Sequence, residues 1–258
     1  MTQNSALAEQ LDTAAKDAVA VPQLSASEAL EVDNAYDIQK LSIDRRIGRG
    51  EKLVGLKLGF TSRAKMVQMG VSDMIWGRLT DRMMIEDGGE VGMDAYVHPR
   101  VEPEIAFLLK RPLEGDVSMA EAQAALEAVA PAMELIDSRY ENFKFNLADV
   151  VADNCSSSGF VIGAWREPGP DLSNLGMLLE FDGRPVQIGS SAAILGHPLR
   201  SLVNAARLAA GAGFGLEPGW LVLAGAATAA EALRPGVHAR TVVEKLGTAE
   251  LKVRGETK

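Results

Sequence analysis

Leu7, Leu11, Ala15 and Val19 fall at four-residue intervals before Pro22, a spacing that predicts one amphipathic helix closed by a breaker. A second helix is expected through Tyr36, Ile43 and Ile47, with Ile38 and Leu41 on another apolar side and Gly48 and Gly50 at its end. The apolar run LVGLKLGF, residues 53–60, reads as a strand, after which Thr61 and Ser62 can cap a short helix through Gln68 that Gly70 stops. The Gly-rich, charged stretch from there to Asp94 suggests loops and short strands. In VHPRVEPEIAFLLKRP, Val101, Pro103, Ile105, Phe107 and Leu109 alternate with Glu102, Glu104, Ala106 and Leu108, giving a strand whose first half Pro103 pushes to an edge or irregular position. Ser118 and Glu121 have the spacing of a capping box that opens an Ala-rich helix ended by Pro131, and AMELIDS returns as a strand.

A short polar helix and the strand SSGFVIG come next, followed by LLEFDGRPVQIG, whose Asp182-Gly183 pair predicts a hairpin. Leu199, Val203, Ala206 and Ala210 mark a helical face that stops at Gly211, Gly213 and Gly215. WLVLAGA, ARTVVEKL and AELKV read as closing strands, and no internal repeat of fixed period is present. The sum is an α+β chain with a largely antiparallel sheet system.

Composition narrows the function mainly by exclusion. With 258 residues and 47% apolar content the chain can bury a sizeable core. Lys and Arg number 26 against 35 Asp and Glu, for a net charge of −9 with no basic run, which argues against a nucleic-acid partner. Cys155 is the single cysteine, so an internal disulfide and a four-Cys zinc site are ruled out and a reducing compartment fits. The N-terminal segment lacks the basic and apolar regions of a leader, and no stretch approaches a membrane span, so a soluble cytoplasmic protein without membrane contact is expected. GAGFG at residues 211–215 fails the dinucleotide fingerprint, because Leu216 holds its last position and a helix precedes it. GxxxxGK[ST], HExxH and GxSxG are absent, and the three histidines have no ligand-like spacing to one another.

What remains is Glu102-Pro103-Glu104. Residues i and i+2 of a strand point to one side, and two carboxylates aimed together repel unless they are solvated or bridged by a cation. An exposed acidic strand face is the alternative. Glu134, inside the apolar AMELI, is costly unless paired or coordinated, whereas Asp137 lies three positions on and would point to the opposite face. Lys57 is the one charge in LVGLKLGF, and either snorkels to solvent or faces an anionic substrate. ADNCSSSG, residues 152–159, either donates hydroxyls and amides to a carboxylate or forms an Asx turn, and GAATAA around Thr228 is either a close-approach loop or tight packing.

Together and in order, KLGFTSRAKMVQMGV, GRLTD, HPRVEPEIAFLL, AMELIDSR, ADNCSSSGFVIG and LAGAATAA resemble the 2-keto-4-pentenoate hydratase and 4-oxalocrotonate decarboxylase group of the fumarylacetoacetate hydrolase superfamily. The resemblance runs from about residue 30 to the C-terminus. It implies a mixed β-roll core with flanking helices, in which residues 1–50 form a helical segment packed on a catalytic β-rich domain over 51–258. It also implies Mg2+, with Mn2+ as the alternative, no organic cofactor, and a 2-oxo dicarboxylic acid from aromatic breakdown as substrate. On this resemblance the metal ligands are Glu102, Glu104 and Glu134, the catalytic positions Lys57 and Asp81, and the substrate-binding positions Ser156, Ser157 and Thr228. A homo-oligomer and a complex with a sister vinylpyruvate hydratase are implied as well.

The stretch KMVQMGVSDMIWGRLTD resembles the decarboxylase branch more than the hydratase branch. Decarboxylation needs the 2-oxo acid end held, the developing charge stabilised and the distal carboxylate left without a tight cation pair, because ground-state pairing slows its loss. The far end of the pocket is therefore expected to be apolar, lined by Met and Trp side chains from residues 66–76. Hydration of 2-hydroxypenta-2,4-dienoate, the alternative, demands a placed acid and base at the far carbon. A non-catalytic binding subunit is the third reading.

Overall fold

The computed structural model describes residues 2–26, 29–62, 66–67 and 73–255. Its helices are α1 (Gln3–Asp17), α2 (Val32–Gly48), α3 (Met119–Ala125), α4 (Leu147–Ala152) and α5 (Leu199–Gly211). The strands are β1 (Leu53–Gly59), β2 (Ile75–Thr80), β3 (Met84–Ile85), β4 (Glu90–Val91), β5 (Arg100–Leu109), β6 (Leu126–Ile136), β7 (Ser157–Ile162), β8 (Gly176–Phe181), β9 (Arg184–Ser190), β10 (Leu221–Leu223), β11 (Glu231–Ala232), β12 (His238–Val243) and β13 (Gly247–Val253). One sheet runs β2-β1-β10-β5-β6-β7-β3, with β11 also on β5, and the other runs β4-β13-β12-β8-β9. Pairing is antiparallel except for β1 with β10, β3 with β7 and β4 with β13. Among the described residues no helix is long and apolar enough to cross a membrane.

Strand alternation sorts the core. Val101, Met133, Leu135 and Val161 of the first sheet pack against Leu179, Phe181, Ala239, Leu251 and Val253 of the second. Farther along that side, Leu56, Leu58, Ile105 and Phe107 meet Leu202, Ala205, Ala206 and Ala209 of α5. Ala106, Ala132, Phe160 and Leu223 face the other way, toward Ile43 of α2 and Leu79 of β2. The DG hairpin forms, with Asp182 at φ 52° and Gly183 at φ 75°, both left-handed as a type I′ turn requires.

At the N-terminus α1 buries Ala8, Leu11, Asp12 and Ala14, so its packed face is rotated from the expected stripe and Val19 lies beyond the helix, exposed. Asp12 accepts from Arg45 at 3.0 Å and from Arg49 at 2.7 Å, tying α1 to α2 through a buried carboxylate. Of the helix expected from Thr61 to Gln68, residues 63–65 and 68 lie outside the described residues.

Two expectations are corrected. The Ala-rich helix ends at Ala125, and Pro131 lies inside β6, because 126–136 pairs with β5 along its length and that burial overrides local helix preference. Pro103 takes the irregular position expected of it: β5 is an interior strand, but β10 has ended and β11 has not begun where Pro103 faces them. Its carbonyl accepts from the Ala227 amide at 3.1 Å, and no ladder donor is lost. Residues 75–80, read as loop or short strand, form a fully buried six-residue strand whose pattern Gly77 and Arg78 conceal. Arg78 is accommodated by Gln39 Oε1 at 2.7 Å and by the Trp76 ring at 4.6 Å.

Gly163, just past β7, brings the two sheets into contact: a Cβ there would lie 2.0 Å from the Thr248 carbonyl oxygen. Gly163→Ala is expected to lower stability by about 1–3 kcal/mol through backbone overlap, read as a drop in the urea or thermal unfolding midpoint with the cooperativity unchanged.

Candidate metal centre

The β5–β6 register assembles the centre. Glu102 and Glu104 share one side of β5, and Glu102 stands directly opposite Glu134 of β6. One carboxylate oxygen from each residue lies within 4.8 Å of the others, and all three side chains are buried. Lys57 emerges on the same side of β1, level with Leu223 of β10, which pairs with Ala106 of β5. Its Nζ donates to Glu134 Oε2 at 3.1 Å.

Among the described residues, one ammonium, that of Lys57, faces the three buried carboxylates. Burial pushes the Glu104 carboxyl well above its usual range, the charges of Glu134 and Glu102 add to this, and Lys57 and the Gly225 amide oppose it. That amide donates to Glu104 Oε2 at 2.7 Å. For Lys57, burial favours the neutral amine, but the neighbouring carboxylates, Glu134 foremost, outweigh it and hold the amine protonated. Among the described residues, Glu104 Oε1 and Glu134 Oε1 are buried without a hydrogen-bond partner. Orphaned, converging carboxylate oxygens fit a hard divalent cation, which takes oxygen ligands and supplies the missing positive charge.

Two cavities of about 460 and 220 Å³ meet at Glu102 and share Gly59, Phe60 and Ala229. The larger is walled by Phe60, Ile75, Phe143, Phe145 and Val150, with Lys57, Arg100 and Ser156 as its other polar side chains among the described residues. Its walls are mostly apolar, but Arg100 stands one same-side step along β5 from Glu102, where an apolar end was expected, and Trp76 does not line the cavity. The Trp76 ring stacks on Tyr36 at 5.0 Å, and Met66, Met74 and Trp76 join the core beneath α5.

Asn154, Cys155 and Ser156 bring Ser156 to the wall of the larger cavity through three consecutive left-handed residues, at φ 49°, 52° and 60°. For non-glycine residues each such conformation costs about 1 kcal/mol or more. The Asn154 side chain holds the turn by acting as a strand edge: its Oδ1 accepts from the Arg78 amide at 2.8 Å and its Nδ2 donates to the Arg78 carbonyl at 2.9 Å. Gly77 is required beside it, because a Cβ would lie 2.6 Å from the Asn154 carbonyl oxygen. The buried Ser156 Oγ has no partner among the described residues. Burial pushes the adjacent Cys155 thiol up to about 12, so it is not a nucleophile at neutral pH.

Other positions fall elsewhere. Ser157 is buried with an unpartnered hydroxyl but does not line the cavities, and Thr228 lines the smaller one. Asp81 follows β2 at the Lys52 end, where it accepts from the Lys52 amide at 2.9 Å, while Lys57 is level with Gly77. That ladder offset puts Asp81 roughly four strand residues, on the order of 13 Å, from Lys57. Asp137 accepts from the Val97 and His98 amides and lines a separate cavity with Arg46 and Arg139. Sequence reasoning missed Arg100. Its period-2 relation to Glu102 was the signal available.

Residues 53–254 match the family described as Fumarylacetoacetate (FAA) hydrolase C-terminal. The chain is 61% identical to a 4-oxalocrotonate decarboxylase from a Pseudomonas species over 252 residues, covering 98% of each. It is 38% identical to a 2-keto-4-pentenoate hydratase from Paraburkholderia xenovorans over 210 residues, covering 80% of this chain and 78% of that one. A solved structure of 4-oxalocrotonate decarboxylase from Pseudomonas putida G7, complexed with magnesium and adipate, matches with TM-score 0.94 and 38% identity over 98% of both chains.

The electrostatics of the metal-free chain give a test. Glu104→Gln removes one of the mutually repelling charges while keeping an acceptor for the Gly225 amide, so in chelator it is expected to unfold at higher temperature than the wild type. Because the folded-state Glu104 value is raised, its contribution to stability is present below the ordinary carboxylate range and is lost as pH climbs above it. Thermal melts in chelator should therefore show wild-type stability falling with rising pH more steeply than that of Glu104→Gln.

Proposed function

The chain belongs to the fumarylacetoacetate hydrolase family, and from that premise we propose that it is a metal-dependent lyase that decarboxylates 2-oxo-3-hexenedioate, or 4-oxalocrotonate, to 2-hydroxypenta-2,4-dienoate and CO2. The observation that carries this reading is the buried Glu102, Glu104 and Glu134 cluster opening on a mostly apolar cavity. Identity of 61% over nearly the full chain to a decarboxylase, against 38% over a shorter span to a hydratase, favours that branch.

Glu102, Glu104 and Glu134 would hold one Mg2+, or Mn2+ with the same oxygen donors, and when bound the ion supplies Lewis acidity toward the 2-oxo acid end of the substrate. Loss of CO2 breaks the bond to the distal carboxylate and sends its electron pair through the enone to the 2-oxo oxygen. Lys57, protonated beside Glu134, compensates charge on that side and offers a proton. The unpartnered Ser156 hydroxyl, fixed by the left-handed turn, is placed to donate to a substrate oxygen, and Thr228 contributes from the smaller cavity. The aromatic wall of Phe60, Phe143 and Phe145 excludes water. Hydration would need an acid and a base at the far carbon. Among the described residues lining the larger cavity, Glu102 is the one carboxylate and lies at the cluster end, with no imidazole beside it.

The same reading takes residues 1–50 as a helical segment packed on a catalytic domain over 51–258. It makes the protein a cytoplasmic homo-oligomer that complexes with a sister vinylpyruvate hydratase.

Purified protein with Mg2+ is expected to release CO2 from 4-oxalocrotonate, and EDTA to abolish the release. Lys57→Met should keep the fold and lower kcat/KM by about 10²-fold or more, as for a positioned charge-stabilising or proton-transfer group. Hydration of 2-hydroxypenta-2,4-dienoate without CO2 release would move the chain to the hydratase branch, and absence of any metal-dependent turnover would make it a binding subunit.

A further inference from the structure

Arg100 begins the side of β5 that carries the two glutamates. Side chains alternate along a strand, so Arg100, Glu102 and Glu104 emerge on one side at steps of about 6 to 7 Å, with Ile136 and Glu134 of β6 opposite the first two. Arg100 is half-buried and lines the larger cavity with Lys57 and Glu102. Its guanidinium carbon lies 4.6 Å from the centre of the Phe143 ring. Among the described residues its guanidinium makes no ion pair and no hydrogen bond.

We propose that Arg100 reads the distal carboxylate of the substrate and so selects a six-carbon 2-oxo dicarboxylate over 2-oxo monocarboxylates. This rests on the reading of the cavity as the site of a 2-oxo diacid. A substrate whose 2-oxo acid end is held at the glutamate cluster extends along β5, and one strand step beyond Glu102 matches the remaining length of an extended six-carbon chain. Among the described residues lining the cavity, Arg100 is the cation at that end. A partly desolvated guanidinium needs a counter-charge, and the Phe143 π face supplies only part of it. A carboxylate fits its planar donor fork in a bidentate manner.

The pairing bears on rate as well as on selection. Any stabilisation of the departing carboxylate that is lost as CO2 forms raises the barrier. A half-exposed guanidinium already stacked on an aromatic ring makes a weaker pair than a buried one, so Arg100 acts in capture and discrimination more than in the chemical step. Removing it should therefore raise KM and leave kcat the same or higher.

The test compares 2-oxoadipate and 2-oxohexanoate, which share the 2-oxo acid end, differ in the distal carboxylate and lack the alkene needed for reaction. Binding to the Mg2+-loaded protein is measured by calorimetry, together with KM and kcat for 4-oxalocrotonate. The wild type should prefer 2-oxoadipate by about tenfold or more. Arg100→Met should bring the two within about threefold and raise KM about tenfold with kcat held or increased, while Arg100→Lys keeps part of the preference. Arg100→Gln carries the same test if Arg100→Met does not fold. No preference in the wild type, an undiminished preference in Arg100→Met, or a tenfold loss of kcat at unchanged KM overturns the proposal. A wild type that keeps the preference but releases no CO2 overturns the decarboxylase reading and leaves the role of Arg100 standing.

Discussion

Pairing Glu102 with Glu134 across β5 and β6 is the constraint around which this molecule is organised. It puts like charges opposite one another in a buried row, where unscreened repulsion is strongest. A one-residue slip would turn the glutamates toward the second sheet and the apolar residues toward the cavity, so the charge conflict cannot be relieved without inverting the core. The register holds because Val101, Met133 and Leu135, on the other side of the same strands, are locked into the inter-sheet core. The hydrophobic pattern thus enforces a polar geometry that polar interactions alone would disperse.

The elements around the cluster relieve part of this conflict and leave part of it open. Lys57 pairs with Glu134, and the Gly225 amide serves Glu104. The oxygens that remain without partners are stored demand for a cation, a stability cost retained for function. Family membership gives that demand its context, since a related decarboxylase of the same fold has been solved with magnesium.

Away from the cluster, the cavity owes its form to backbone pieces that break local rules. The three left-handed residues at 154–156 are tolerated because the Asn154 side chain completes β2 as an extra strand edge and Gly77 leaves room for the turn. Local strain is therefore offset by contacts over seventy residues away in sequence. Arg78 in β2 follows the same logic, its charge met by Gln39 of α2 and by the Trp76 ring.

Much of this was legible in the chain. The apolar run 53–60 marked β1, period-2 alternation marked β5, the capping box at Ser118 and Glu121 opened α3, and Asp182-Gly183 set its hairpin. The isolated ExE and the lone Lys57 pointed to charge in apolar strands, and the ordered motifs pointed to the family. The end of α3 at Ala125 and the fully buried β2 were not legible, because each depends on a partner strand distant in sequence. Asp81 and Trp76 shared a motif neighbourhood with the site yet lie away from it, Asp81 because it is displaced along the ladder and Trp76 because it faces the core beneath α5. The sequence by itself determined which residues could carry charge and metal chemistry. Only the tertiary structure decided that Glu102 meets Glu134 and that Arg100 faces the same cavity, because strand register is a long-range packing choice made by the core on the opposite side of the sheet.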